Sequence, residues 1–175
     1  ISRVFLGCIM FADDLALAAP TRSALQEMIN VCDSYCNEHC LAFNAKKLKV
    51  MVFGKNKNVI KSLSLNNVSL DFVTEWKYLG TTIASGKCFS FSARPDISNF
   101  FRATNAVVIV LNGAHEHTLL YLLHSNCLPI LTYACNVKEY TAADMSDCNT
   151  AVNSAYRKVF GFTDYRSIRE IRETF

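Results

Sequence analysis

The sequence predicts an α+β chain: a first half of short strands around one helix, then a second half built of helices. Three observations carry this. In the first 84 positions apolar residues fall in short runs or alternate with polar ones, a period of two. From residue 96 onward they recur at spacings of three, four and seven, which is one face of a helix. Between the halves, residues 85–95 collect Ser and Gly and end on Pro95, a change of character that marks a boundary. The expected organisation is therefore a domain at 1–84, a linker at 85–95 and a helical segment at 96–175.

Residues 3–12 read as a buried strand through Val4, Phe5, Leu6, Cys8, Ile9, Met10 and Phe11, and 15–19 as a second apolar run. Asp13 and Asp14 lie between them, which predicts a tight hairpin with both carboxylates at its tip, ended by Pro20. Residues 21–40 predict a helix. Thr21 or Ser23 can cap it, and Ser23-x-x-Gln26 has capping-box spacing. Leu25, Met28, Ile29, Cys32 and Cys36 share one face, with Arg22, Glu27, Asp33 and Asn37 on the others. Residues 41–43 suit a short strand. Residues 47–53 alternate Lys47, Lys49 and Met51 against Leu48, Val50 and Val52, a half-buried strand. Runs at 60–65 and 68–73 flank Asn66-Asn67, a hairpin turn because Asn tolerates positive φ. Residues 76–83 read as another strand.

Three helices follow. Residues 96–113 place Ile97, Phe100, Phe101, Thr104, Val107, Val108 and Leu111 at helical spacing. Residues 117–134 do so with Leu119, Leu120, Leu123, Cys127, Ile130 and Leu131, and Pro129 should kink or split this helix. Residues 142–160 carry Met145, Cys148, Val152, Ala155, Tyr156 and Val159, with Gly161 placed to end the helix. The last residues, 164–175, are charged and expected to fray.

Composition excludes some classes. Half of the 175 residues are apolar, so there is material for a packed core and intrinsic disorder is not expected. The first residue is Ile, which suggests a start within a longer reading frame. The formal net charge is only +3, but residues 46–61 hold six lysines (46, 47, 49, 55, 57 and 61) and no acid. Such a patch either holds a phosphate backbone or is a solvated lysine-rich hairpin. None of the eight cysteines forms a C-x-x-C pair. Cys32, Cys36 and Cys40 line one mostly apolar helical stripe, which favours buried free thiols over zinc ligation with His39. No secretory signal and no membrane span are legible, so an intracellular, reducing setting is expected, in the nucleus and/or cytoplasm, with no membrane partner.

The most informative pair is Asp13-Asp14. Adjacent carboxylates backed by apolar strands repel one another, and a divalent cation removes the conflict. Hard oxygen donors suit Mg²⁺ or Mn²⁺, the ions of two-metal phosphoryl transfer. Asp is also an ordinary turn residue whose side chain bonds the local backbone, so the pair alone leaves both readings open.

Phe11-Ala12-Asp13-Asp14, framed by apolar residues, resembles the F/Y-x-D-D motif of reverse transcriptases. Further matches follow in that family's order. A helix comes directly after the hairpin. Residues 43–53, with Asn44-Ala45-Lys46-Lys47 before an apolar strand, resemble the next palm motif, and Trp76-Lys77-Tyr78-Leu79-Gly80 resembles the primer grip. Residues 128–135 and the run Arg157-Lys158-Val159-Phe160-Gly161 resemble the thumb of non-LTR, LINE-type retrotransposon polymerases. The resemblance implies a partial polymerase palm, an antiparallel sheet with catalytic hairpin and packing helix, followed by a helical thumb. It implies an RNA-directed DNA polymerase that extends a primer 3′-hydroxyl with dNTPs on an RNA template, using Mg²⁺ or Mn²⁺.

On this resemblance Asp13 is the principal metal ligand and Asp14 assists. Lys47 sits near the triphosphate and can protonate the leaving pyrophosphate. Trp76, Lys77, Tyr78, Leu79 and Gly80 place the primer 3′ end through a tight turn flanked by aromatics. Arg157 and Lys158, with Arg94 and Arg102, contact phosphates of the template–primer duplex, which is read by shape and backbone.

The sequence also departs from the family. A third carboxylate belongs on an earlier palm strand, so the N-terminal palm and fingers of the same polypeptide are expected partners and the fragment alone is expected to be inactive. Leu48 stands where a small hydroxylated residue is usual, and Phe11 replaces the commoner Tyr. No endonuclease or Cys/His knuckle is visible. The competing expectation is a degenerate or co-opted retroelement remnant that binds nucleic acid without catalysis. A plain scaffold with buried cysteines is a third.

Overall fold

The computed structural model describes residues 7–44, 47–54, 62–162 and 168. Residues 3–6 of the expected first strand, Ala45 and Lys46, lysines 55, 57 and 61, residue 60, and most of the expected frayed segment lie outside them. The chain divides into two units, 1–89 and 90–175.

The first unit opens with the hairpin β1 (Cys8–Phe11) and β2 (Asp14–Leu17), paired antiparallel with Phe11 opposite Asp14. The strand expected to be buried is exposed along its whole described length: Ile9, Met10 and Phe11 are 57, 73 and 64% exposed. The reason is topological, since among the described residues β1 and β2 form a two-stranded sheet with no further strand beside them.

Helix α1 (Arg22–Glu38) follows, capped by Thr21, whose hydroxyl accepts from the Ala24 amide. Gln26 makes no capping box. Its amide instead donates to the Ser64 carbonyl and accepts from the Ser64 N–H, which ties α1 to the strand beyond. Ile29 and Cys36 lie on its buried face, as the spacing predicts.

Residues 41–43 form no strand, and the expected strand at 47–53 shrinks to β3 (Lys49–Val50). The hairpin around Asn66-Asn67 forms as β4 (Ser64–Leu65) and β5 (Val68–Ser69), with both Asn at positive φ, 49° and 61°. Next, β6 (Asp71–Phe72) pairs with β3 in parallel, so the sheets of this unit are not all antiparallel. The single strand expected at 76–83 is two strands, β7 (Glu75–Tyr78) and β8 (Thr81–Ser85), folded at Leu79-Gly80 with φ of 46° and 79°. β9 (Phe89–Phe91) is the third strand of that sheet. The expected linker at 85–95 thus holds strand residues and the start of a helix. Ile29, Val50, Leu63, Leu65 and Leu70 form the small core, with Leu17, Leu25, Phe43 and Leu48 against it.

The second unit is helical. α2 (Arg94–Val110) starts with Pro95 in its first turn, where the missing N–H costs nothing. α3 (Glu116–Leu122) runs into a π-helical turn, Leu123–Cys127, and then α4 (Leu128–Thr132). The expected break at Pro129 is this π turn. Proline lacks an N–H and its ring crowds the carbonyl four residues back, so the preceding turn widens and the Leu128 N–H bonds the Leu123 carbonyl. α5 (Ala142–Phe160) has a capping box between Thr141 and Asp144 and ends on Gly161 in the left-handed region. Phe100, Leu119, Leu120, Leu123, Cys127, Leu131, Ala151, Ala155, Tyr156, Val159 and Ile168 form one core.

Inside this unit sits a buried ion pair. Lys138 Nζ lies 2.6 Å from Asp96 Oδ2, and the Tyr140 hydroxyl donates to the same oxygen at 2.8 Å. Burial first, then the Asp96 hydrogen bond and charge, push the Tyr140 phenol well above its usual range.

Candidate functional site

The β1-β2 turn presents the two carboxylates. Its two loop residues are Ala12 and Asp13, while Asp14 is already the first residue of β2. The tip is therefore Ala12-Asp13 rather than Asp13-Asp14, because the antiparallel register pairs Phe11 with Asp14. Ala12 takes φ of +51°, a conformation that costs an L residue with a Cβ about 1 kcal/mol. Asp13 and Asp14 are both exposed. Their hard oxygens are the donor chemistry that Mg²⁺ or Mn²⁺ takes, so the pair fits part of such a site. Among the described residues no group of three His, Cys, Asp or Glu assembles a metal site. That holds too for Cys32 and Cys36 of α1 and for Cys40 just beyond it, of which Cys36 is buried, Cys32 half-buried and Cys40 exposed. Burial pushes the Cys32 thiol up, with smaller contributions from Cys8 and Cys36.

Lys47 is exposed in the turn before β3, its amide donating to the Asn44 carbonyl at 2.9 Å. Asn44 and Lys47 of the motif thus close one turn.

Trp76-Lys77-Tyr78-Leu79-Gly80 forms the end of β7 and the two-residue turn to β8. Positive φ at both Leu79 and Gly80 matches the right-handed twist of the strands. Trp76 and Lys77 are exposed; Tyr78 is half-buried, and its hydroxyl is buried with no hydrogen-bond partner among the described residues. Thr81 closes the turn by donating its hydroxyl to the Tyr78 carbonyl at 2.9 Å.

The structure brings in two residues that the motifs did not single out. Lys49 faces Asp71 across the parallel β3-β6 register, with Nζ 2.6 Å from Asp71 Oδ2, and the same ammonium lies 6.0 Å from the centre of the Trp76 ring. The signal was present in the alternation that set Lys49 on one side of its strand. The partner 22 residues on was not legible.

In the helical unit, Arg157 and Lys158 occupy the last turn of α5, where positive charge complements the helix dipole. Arg157 is exposed. Lys158 donates to Asn105 Oδ1 and lies 5.9 Å from the Phe101 ring centre, so part of its reach is taken up within the unit. Arg94 lines an open cleft with Ile97, Ser98, Phe101, Asp147 and Thr150.

The family model for the reverse transcriptase (RNA-dependent DNA polymerase) matches residues 3–83. That span contains the hairpin with Asp13 and Asp14, the Asn44–Lys47 turn and the Trp76–Gly80 turn, and it ends before the helical unit. The first unit is thus similar to reverse transcriptases over nearly its whole length. No curated protein and no solved structure matches the chain. No helix among the described residues is long and apolar enough to cross a membrane.

Proposed function

We propose that the chain is part of an RNA-directed DNA polymerase of non-LTR, LINE-type retrotransposon character. Its first unit is then the later part of the palm and its helical unit the thumb. The observation that carries this reading is the end of the β1-β2 hairpin, where two adjacent exposed carboxylates, Asp13 in the turn and Asp14 at the start of β2, follow Ala12 at positive φ. The family match over residues 3–83 supports it.

On this reading Asp13 is the main metal-binding carboxylate and Asp14 assists it. Mg²⁺ or Mn²⁺ bound there supplies charge neutralisation at the triphosphate and at the attacking primer oxygen. Lys47, an exposed cation, pairs with the triphosphate and donates a proton to the departing pyrophosphate. The Trp76–Gly80 turn holds the primer 3′ end, with exposed Trp76 offering a ring face and the Leu79-Gly80 backbone reaching the phosphates. Arg157 and Lys158 hold the duplex backbone. On this reading a third carboxylate, from an earlier palm strand, completes the metal site. The partners are RNA template, DNA primer and dNTPs, inside the cell in the nucleus and/or cytoplasm.

The test joins the chain to its preceding coding sequence and assays primer extension on an RNA template with Mg²⁺. Extension is expected, and Asp13→Asn is expected to abolish it. A folded, template-binding protein that extends nothing would overturn the polymerase reading and leave that of a binding remnant.

A further inference from the structure

We infer that Lys49 is a positioning residue that holds the indole of Trp76, and through it couples the strand after Lys47 to the Trp76–Gly80 turn. The inference rests on the polymerase reading for its effect on primer, but not for the contact itself.

Three features make the arrangement. The parallel register sets Lys49 directly opposite Asp71, so the ammonium is anchored at 2.6 Å. The Lys49 side chain is only 17% exposed while Asp71 is 71% exposed. A pair with one partner in open water contributes little by itself; its effect is to fix where the cation sits. That cation lies 6.0 Å from the Trp76 ring centre, within reach of the ring's negative face. Backbone bonds support the frame on both sides: the Val73 N–H donates to the Val50 carbonyl at 2.9 Å, and Ser85 N–H to the Thr74 carbonyl at 2.7 Å.

The consequence is that two candidate site segments are mechanically joined. Lys49 lies two residues after Lys47, and Trp76 three before Leu79, the first residue of the turn. With Lys49 in place, the ring of Trp76 has one preferred orientation; without it, the half-exposed indole is free to rotate, and a base or sugar meeting it must first order it. The loss falls on primer–template affinity rather than on the chemical step.

Trp76 is the single tryptophan of the chain, so its fluorescence reads this contact directly. In the 175-residue chain, Lys49→Met is expected to raise acrylamide quenching and shift the emission, Asp71→Asn to do so less, and Lys49→Arg to remain near wild type because a guanidinium keeps both contacts. In the joined polymerase, Lys49→Met is expected to raise KM for primer–template about 2–5-fold with kcat and KM for dNTP unchanged, the size of a partly exposed cation–π contact. Lys49→Arg should restore it. A purely structural role would lower kcat with less folded enzyme and leave KM alone. Unchanged quenching in a Lys49→Met chain with wild-type circular dichroism would overturn the contact, and changed quenching with unchanged primer KM would overturn its role. If the wild-type polymerase extends nothing, the polymerase reading fails, while the quenching experiment still decides whether Lys49 holds Trp76.

Discussion

The two units differ in where they place their apolar surface. The helical unit gathers eleven buried residues into one core, with Phe100, Leu123, Cys127 and Ile168 at 1% exposure or less. Among its described residues the first unit has five, and leaves a strand of Ile, Met and Phe facing solvent. Strained backbone is distributed the opposite way: of the six non-glycine residues at positive φ among those described, five (Ala12, Cys40, Asn66, Asn67 and Leu79) lie in the first unit and only Ala134 in the second. The elements that carry the candidate chemistry are thus the least supported by packing. Regions of that kind open locally at low free energy, whereas densely packed helices open only with the whole unit.

The sharpest way to break this contrast is a pair of truncations. Phe100→Ala removes a fully buried ring and should cost the helical unit about 3–5 kcal/mol in a denaturant melt. Met10→Ala should stay within about 0.5 kcal/mol, because the side chain is already in water. Equal losses would mean that the hairpin is packed in solution.

The buried ion pair offers the next largest effect. Lys138→Met leaves the Asp96 carboxylate buried with only the Tyr140 hydroxyl, and should cost about 3 kcal/mol, read by the same melt. Alkaline titration gives a related test. Burial pushes up the thiols of Cys127 and Cys148 and the phenol of Tyr140. A group raised in the folded state stabilises fully below its unfolded pKa and loses that contribution as pH rises toward the folded value. The helical unit should therefore lose stability progressively from about pH 9 upward. Melts at a series of pH values check this, and a flat profile would contradict it.

The smallest effect concerns the hairpin turn. Ala12→Gly removes a Cβ from a positive-φ position and should stabilise the β1-β2 pairing by no more than about 1 kcal/mol, measurable by hydrogen exchange at the strand amides.

What the sequence made legible follows the range of the forces involved. The end of α5 was legible, because Gly161 acts through backbone groups within a turn of it, whereas the Thr141–Asp144 capping box at its start emerged only in the structure. The Asn66-Asn67 turn was legible for the same reason. The turn inside 76–83 was not, because Leu79 carries no preference for positive φ and only Gly80 hinted at it. The exposure of β1 was hidden because an apolar run looks alike whether or not a neighbouring strand covers it. At the candidate site, Asp13 and Asp14 were marked by residue type and their place between strands. Lys49 and Asp71 meet through parallel pairing across 22 residues, and local pattern holds no record of such a meeting.

The π turn at Leu123–Cys127 has a consequence of phase. In an unbroken α-helix each residue advances about 100°, so Leu131, eight positions after Leu123, would point about 80° away from it. A π turn accommodates one residue more than an α turn, which subtracts about 100° and returns Leu131 to within about 20° of Leu123. Both side chains are buried in the one core. The turn thus works as an inserted residue that realigns two helical segments on a common axis. Tightening it to α geometry with all its residues kept would rotate Leu131 about 80° out of line with Leu123, whereas deleting one residue of the turn would keep the two aligned within about 20°.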